Sequence, residues 1–135
     1  MTRPDKATVL TKALLRASSR LGVTDKALAK TIGVSVSTVS RMRAGRSVLR
    51  AGHKSFELAV LFLRLHQSLD AMVGGDDAAA GCWLRGRNTR LDAEPRALLQ
   101  TVSGLMNVLQ YLEARRTVCF NEWASEADRA GYADL

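Results

Sequence analysis

A segment of 22 residues, TDKALAKTIGVSVSTVSRMRAG at positions 24–45, has the pattern of two short helices joined by a tight turn. Two such helices cross at a steep angle only if the first carries a small residue at the crossing and the turn tolerates a positive φ. Ala29 and Gly33 meet these two requirements. The apolar residues that would hold the angle are Leu28, Ile32, Val34, Val39 and Met42. The segment therefore predicts a helix-turn-helix.

The face of the second helix that points away from this cluster carries hydroxyl groups and arginines. In a helix-turn-helix protein the first turns of the second helix enter the major groove of DNA. Hydroxyls there bond to phosphates or base edges, and Arg41 is long enough to reach guanine O6 and N7. We expect the cations that follow to contact phosphates, namely Arg43, Arg46, Arg50 and Lys54. The predicted DNA-binding residues are Thr24, Ser35, Ser37, Thr38, Ser40, Arg41, Arg43, Arg46 and Lys54.

Charge is segregated along the chain of 135 residues, whose formal net charge is +7. Residues 1–54 contain 12 Lys or Arg and only two acids, net +10, whereas residues 55–135 contain 8 Lys or Arg and 11 acids, net −3. A half this basic is typical of a chain that binds a polyanion. A helical hairpin with a serine-rich solvated face is the alternative interpretation of positions 24–45, and it leaves the excess positive charge unexplained.

Hydrophobic periodicity predicts an all-α fold, because apolar residues recur at helical spacing and no strand-like alternation persists. Capping residues, glycines and prolines divide the pattern into seven helices. They run from about Asp5 to Arg20, from the cap Thr24 to Ile32, from the cap Ser35 to about Ala44, from Lys54 to Met72, from Asp76 or Asp77 to near Gly86, from Pro95, and from about Val102 to Arg115. The longest has the apolar stripe Leu58, Leu61, Phe62, Leu65, Leu69 and Met72, which suits a core helix or a self-association surface equally.

Several function classes lack the residues that they require. The two cysteines, Cys82 and Cys119, and the two histidines, His53 and His66, show no metal-ligand spacing, so we expect no metal and no cofactor. No Gly-rich phosphate loop and no Ser-His-Asp or Cys-His arrangement points to an enzyme. No apolar run approaches the roughly 18 residues that span a bilayer, and the first residues lack a secretory signal. We therefore expect a cytoplasmic protein without a membrane partner.

Positions 6–54 resemble the Xre-type helix-turn-helix family, which is phage-repressor-like, and positions 57–116 resemble the toxin-binding domain of the MbcA/ParS/Xre antitoxin family. The second resemblance is carried by Glu57-Leu58-Ala59, Leu65, Leu69-Asp70-Ala71-Met72-Val73-Gly74-Gly75-Asp76, Trp83-Leu84, Asn88, Leu91, Pro95, Leu98-Leu99-Gln100-Thr101, Gly104, Val108 and Leu112. The family usually has Gly or Ser in the turn before the proline, where this chain has Asp92-Ala93-Glu94.

The resemblance implies a five-helix-type, phage-repressor-like DNA-binding domain at 1–54, a small helical toxin-binding and dimerisation domain at 55–116, and a tail or short helix at 117–135. It implies an antitoxin that blocks the active-site entrance of an NAD-consuming RES-domain toxin and represses its own operon by binding double-stranded operator DNA. A homodimer is expected, because helix-turn-helix proteins usually read two half-sites. The alternative is a one-component repressor whose C-terminal domain senses a small ligand.

We expect toxin contacts at two places in the second half. The first comprises Trp83, Arg87, Asn88 and Arg90, although Trp83 also suits a core anchor and Asn88 a loop cap. The second is the tail, where acids such as Glu122 and the carboxylate of Leu135 would complement a basic NAD pocket, with Trp123 and Tyr132 as anchors. A solvated terminal helix is the alternative for this segment.

Overall fold

The computed structural model describes residues 5–115, which form an all-helical fold, as predicted. The helices are α1 (Lys6–Leu21), α2 (Asp25–Ile32), α3 (Val36–Arg43), α4 (Lys54–Met72), α5 (Asp77–Arg85), α6 (Pro95–Leu98) and α7 (102–115). Within this range a single isolated bridge pairs Asn88 with Ala93, in the loop between α5 and α6. No helix of the described part is long and apolar enough to cross a membrane.

Short polar side chains start five of these helices by accepting a hydrogen bond from an unpaired backbone N–H of the first turn. They are Asp5 before α1, Thr24 before α2, Ser35 before α3, Asp76 before α5 and Thr101 before α7. Thr24 and Ser35 were predicted as caps, and both predictions are confirmed. Helix α3 ends at Arg43, one residue earlier than expected, because Ala44 is its C-cap and Gly45 follows with φ 75°.

The helix-turn-helix packs as its sequence predicts. Gly33 ends α2 in the left-handed region, with φ 76°, and the chain turns directly into α3. The apolar residues that hold the crossing are 0–4% exposed, and Val34 in the turn is half-buried; the buried ones are Leu28, Ala29, Ile32, Val39 and Met42. Helix α3 is therefore fixed against α2 with its polar side free.

Helix α4 is the central helix of the core and not a separate surface. It packs against α1, α2 and α5, and α5 packs against α1 as well, so α1–α5 form one five-helix unit. This unit continues past position 54, where the first domain was expected to end. The apolar stripe of α4 is buried at Leu58, Phe62, Leu65 and Leu69 and half-buried at Leu61. Met72, at the end of the stripe, is 41% exposed, because α4 ends there and the chain turns away at Gly74.

An ion-pair cluster joins the end of α1 to α4 and α5. The Arg20 guanidinium donates to the Asp77 carboxylate at 3.1 and 3.2 Å and to Asp70 Oδ1 at 3.3 Å. Desolvation by partial burial and the nearby charge of Arg20 lower the pKa of His66 below its usual value, which favours the neutral imidazole. The cluster ties the last turn of α1 to the first turn of α5.

Candidate functional site

The outer face of α3 carries a short polar network that organises three of the predicted DNA-binding residues. Ser35 Oγ accepts from the Thr38 backbone N–H at 3.1 Å and lies 2.9 Å from Thr38 Oγ1. The Arg41 guanidinium donates to the same Thr38 Oγ1 at 3.1 Å. Ser37 and Ser40 are exposed beside them. The face is therefore polar, and Arg41 is held along the helix by a bond to a neighbouring hydroxyl.

Arg43 is placed differently from Arg41, the other cation of this helix. Its guanidinium donates to Asp25 Oδ1 at 2.7 Å, to Ser19 Oγ at 3.3 Å and to Ser18 Oγ at 3.3 Å. It thereby ties the last turn of α3 to the first turn of α2 and the last turn of α1. Any phosphate that binds Arg43 would have to compete with Asp25 for the guanidinium.

The basic connector between α3 and α4 is anchored to α1 by a bond that the sequence did not reveal. The Leu49 backbone N–H donates to Thr11 Oγ1 at 3.0 Å, and Leu49 itself is buried. Thr11 is a threonine in the middle of a helix, and nothing in its spacing indicates a distant partner. Arg46 and Arg50 flank this anchor and are exposed. Lys54 Nζ lies 3.7 Å from Glu57 Oε2, and both side chains are well exposed. Such an ion pair is weak, so Lys54 stays available to contact a phosphate.

The loop between α5 and α6 is ordered by Asn88, as expected of a loop cap. Its Oδ1 accepts from the backbone N–H groups of Arg90 at 2.9 Å and Leu91 at 3.1 Å. Asp92 is the single non-glycine residue with positive φ in the described range, at 55°, a conformation that aspartate adopts more readily than most residues. The Arg87 guanidinium donates to Asp92 Oδ1 at 2.6 Å. Two exposed arginines, Arg87 and Arg90, are thus presented by a rigid turn.

Trp83 is half-buried and stacks on Tyr111 of α7, with ring centroids 6.1 Å apart and an interplanar angle of 21°. Arg115 lies over the Tyr111 ring at 5.3 Å and donates to Tyr111 Oη at 3.0 Å. The sequence analysis includes Trp83 among the predicted contacts but not Tyr111 or Arg115. The last two are one helical turn apart, and this spacing indicates a binding surface only when the stacking of Trp83 on Tyr111 is known. These three side chains are called the aromatic cluster below.

Some predicted features lie outside the described residues. They include the tail positions Glu122, Trp123, Tyr132 and Leu135, and also Cys119. Cys82 is an exposed free thiol. Between residues 5 and 115, no group of three or more His, Cys, Asp or Glu side chains is arranged to hold a metal ion.

Comparison with protein families divides the chain into two parts. Residues 1–64 match the antitoxin Xre-like helix-turn-helix domain, and residues 68–117 match the antitoxin Xre/MbcA/ParS C-terminal toxin-binding domain. Both families are non-enzymatic. No curated protein matches the chain. The division between the two matches lies inside α4, whose residues pack against both parts.

Proposed function

This chain belongs to the Xre/MbcA/ParS antitoxin family, and from that premise we propose that it silences a RES-domain toxin and represses its own operon. It binds operator DNA as a homodimer through α3 and covers the active-site entrance of the toxin with its C-terminal part. The observation that carries this proposal is that one helical chain displays a polar recognition face on α3 and, at α5 and α7, the aromatic cluster.

The DNA-binding half of the proposal is supported by what α3 leaves exposed. Its apolar side is used against α2, while Ser37, Ser40 and Arg41 face away from the core. Arg46 and Arg50 follow on the anchored connector, where they suit phosphate contacts. A rigid helix with short hydroxyls, one long donor and flanking cations fits major-groove binding.

Arg41 and Arg46 are expected to affect DNA binding in different ways. Arg41→Ala removes a contact to a base edge, so it should cost about 1–3 kcal/mol on operator DNA and relax the sequence preference. Arg46→Ala removes a phosphate contact, so it should weaken binding to operator and random duplexes by the same factor. Fluorescence anisotropy titrations on both duplexes measure the two effects. Equal losses on both duplexes for Arg41→Ala would contradict the base-reading role.

The toxin-binding half of the proposal is supported by preorganised side chains. Trp, Tyr and Arg are the residue types that contribute most binding energy in protein interfaces, and the aromatic cluster holds one of each in fixed contact. Stacking immobilises Trp83 before the partner arrives, which lowers the entropy cost of association. Arg87, Asn88 and Arg90 extend this surface along the loop.

The tail is proposed to take part in capping the toxin. Positions 117–135 contain four acids and one arginine, which complements a basic pocket that holds the pyrophosphate of NAD. A chain truncated after Arg116 should therefore keep DNA binding and lose neutralisation, with the toxin's NAD consumption restored in a mixture of the two proteins. Full neutralisation by the truncated chain would show that the tail is dispensable.

The proposal as a whole is tested by co-expression with the product of the neighbouring gene. We expect this product to stop growth when expressed alone, to deplete NAD, and to lose both effects when it forms a stable complex with the chain. A neighbour that is harmless and does not co-purify would overturn the antitoxin–RES pairing. It would leave a one-component repressor as the function to be tested next.

A further inference from the structure

A groove of about 530 Å³ lies between α1 and the end of α3. Its rim carries the cations Lys12, Arg16 and Arg43, and no acid lines it. Leu15 and Met42 form part of its floor, and Ser19 and Gly45 complete it. The helix-turn-helix pattern covers positions 24–45, so it gives no reason to place α1 at the DNA.

Lys12 and Arg16 are one helical turn apart and carry like charges, an arrangement that destabilises a helix when neither charge is compensated. Both side chains are exposed, and within residues 5–115 neither takes part in an ion pair or a hydrogen bond. By contrast, Arg20 on the same helix is held by Asp70 and Asp77. An uncompensated pair of cations on a groove wall is what a polyanion would neutralise.

The groove is continuous with the elements proposed to bind DNA. Gly45 lines it and directly precedes Arg46. Arg43, on its wall, bonds to Asp25 at the start of α2 and to Ser19 near the end of α1. A DNA strand that contacts Arg46 therefore passes the mouth of the groove. Lys12 and Arg16 are the cations that it meets next along α1.

We propose that Lys12 and Arg16 form a second phosphate-binding site for the DNA backbone, beside the recognition helix and outside the helix-turn-helix itself. This inference rests on the proposed DNA binding and extends it to α1. The contact is to phosphate alone, so it adds affinity to every sequence equally and reads no base. It also extends the footprint of each monomer on the duplex beyond α3 and the connector.

The test compares two double variants that lose the same charge. Lys12→Gln with Arg16→Gln removes the site, and Arg64→Gln with Arg96→Gln removes two exposed cations on α4 and α6 outside the groove. Binding is measured against salt concentration on a random duplex and on a duplex from the protein's own promoter. Each lost phosphate contact reduces the magnitude of the slope of log K against log salt by about 0.9. The groove variant should therefore lose about 1.8 for each bound monomer, or about 3.6 for a homodimer on DNA, and the control variant almost nothing.

The possible outcomes separate this inference from the function on which it rests. Equal slopes for the groove variant and the wild-type protein, with the wild type still binding DNA, would overturn the inference alone. A loss of affinity confined to the promoter duplex would also overturn the inference. So would an unchanged salt slope together with weaker binding of the toxin, because the groove would then be a protein-binding site. Absence of DNA binding by the wild type at low salt would overturn the proposed function. Thermal unfolding of the groove variant should show no loss of stability, since the substitutions relieve a like-charge repulsion.

Discussion

Replacing Phe62 with alanine is expected to lower the free energy of unfolding of the whole protein by about 3–5 kcal/mol. Phe62 is fully buried on α4, the helix that packs against α1, α2 and α5. Total stabilities of domains are about 5–15 kcal/mol, so a cavity at this position removes a large share. Because the DNA-binding and toxin-binding parts share this core, DNA binding and toxin neutralisation should fail together as the temperature rises.

Urea unfolding measures the effect, with Val60→Ala as the matched control. Val60 lies on the same helix and is 37% exposed, so its truncation should change stability by about 0.5 kcal/mol or less. Both variants should unfold in one transition. Two transitions, of which Phe62→Ala shifts only one, would show that the two parts fold independently and that α4 belongs to one of them.

Replacing Gly104 with alanine is the second substitution with a large expected effect. Gly104 is buried in the first turn of α7, where its N–H donates to Thr101 Oγ1 at 3.0 Å. An added Cβ would overlap the Leu98 carbonyl group and lie 2.7 Å from Thr101 Oγ1. Alanine favours a helix over glycine by about 1 kcal/mol, but overlap with a backbone carbonyl cannot be relieved by a side-chain rotation. The overlap outweighs the gain in helix propensity, and we expect Gly104→Ala to lower the free energy of unfolding by about 2 kcal/mol.

Ser103→Ala provides the comparison, because Ser103 is the exposed neighbour of Gly104 in the same turn. It gains helix propensity without a new contact, so its stability should equal or exceed that of the wild type. Since α7 carries Tyr111 and Arg115, displacement of its first turn by Gly104→Ala should also weaken the toxin complex. Equal stability of Gly104→Ala and Ser103→Ala would contradict the prediction, because it would mean that α6 and α7 can move apart enough to admit the added Cβ at little cost.

Local interactions explain why so much of the fold was predictable. A side chain such as Ser35 caps a helix by bonding three residues ahead, and Gly33 provides a turn by its own backbone freedom. The stripe on α7, with Leu105 and Leu109 fully buried, follows from helical periodicity alone. Periodicity also placed Met72 on the apolar face of α4 but could not predict its exposure, because it gives no information on where the covering helices end.

The candidate site was predictable only in part. Residue type and position on α3 indicated the DNA-binding face, and Arg41 is exposed there. Arg43, two residues later, is turned toward Asp25 and the end of α1, because the preceding helix, α2, supplies a carboxylate oxygen 2.7 Å away. No spacing rule within α3 distinguishes these two arginines, because the partners of Arg43 lie on α1 and α2, at separations of 18 to 25 residues in sequence.

The sequence by itself determined the seven helices, the helix-turn-helix and the family, because capping, turns and periodicity depend on residues within a few positions of one another. Only the tertiary structure decided that α4 is the core shared by both parts, that Trp83 meets Tyr111, and that Lys12 and Arg16 line a groove with the end of α3. Those outcomes depend on which helix faces which. That choice is made by packing the buried side chains of all the helices at once, and no single segment encodes it.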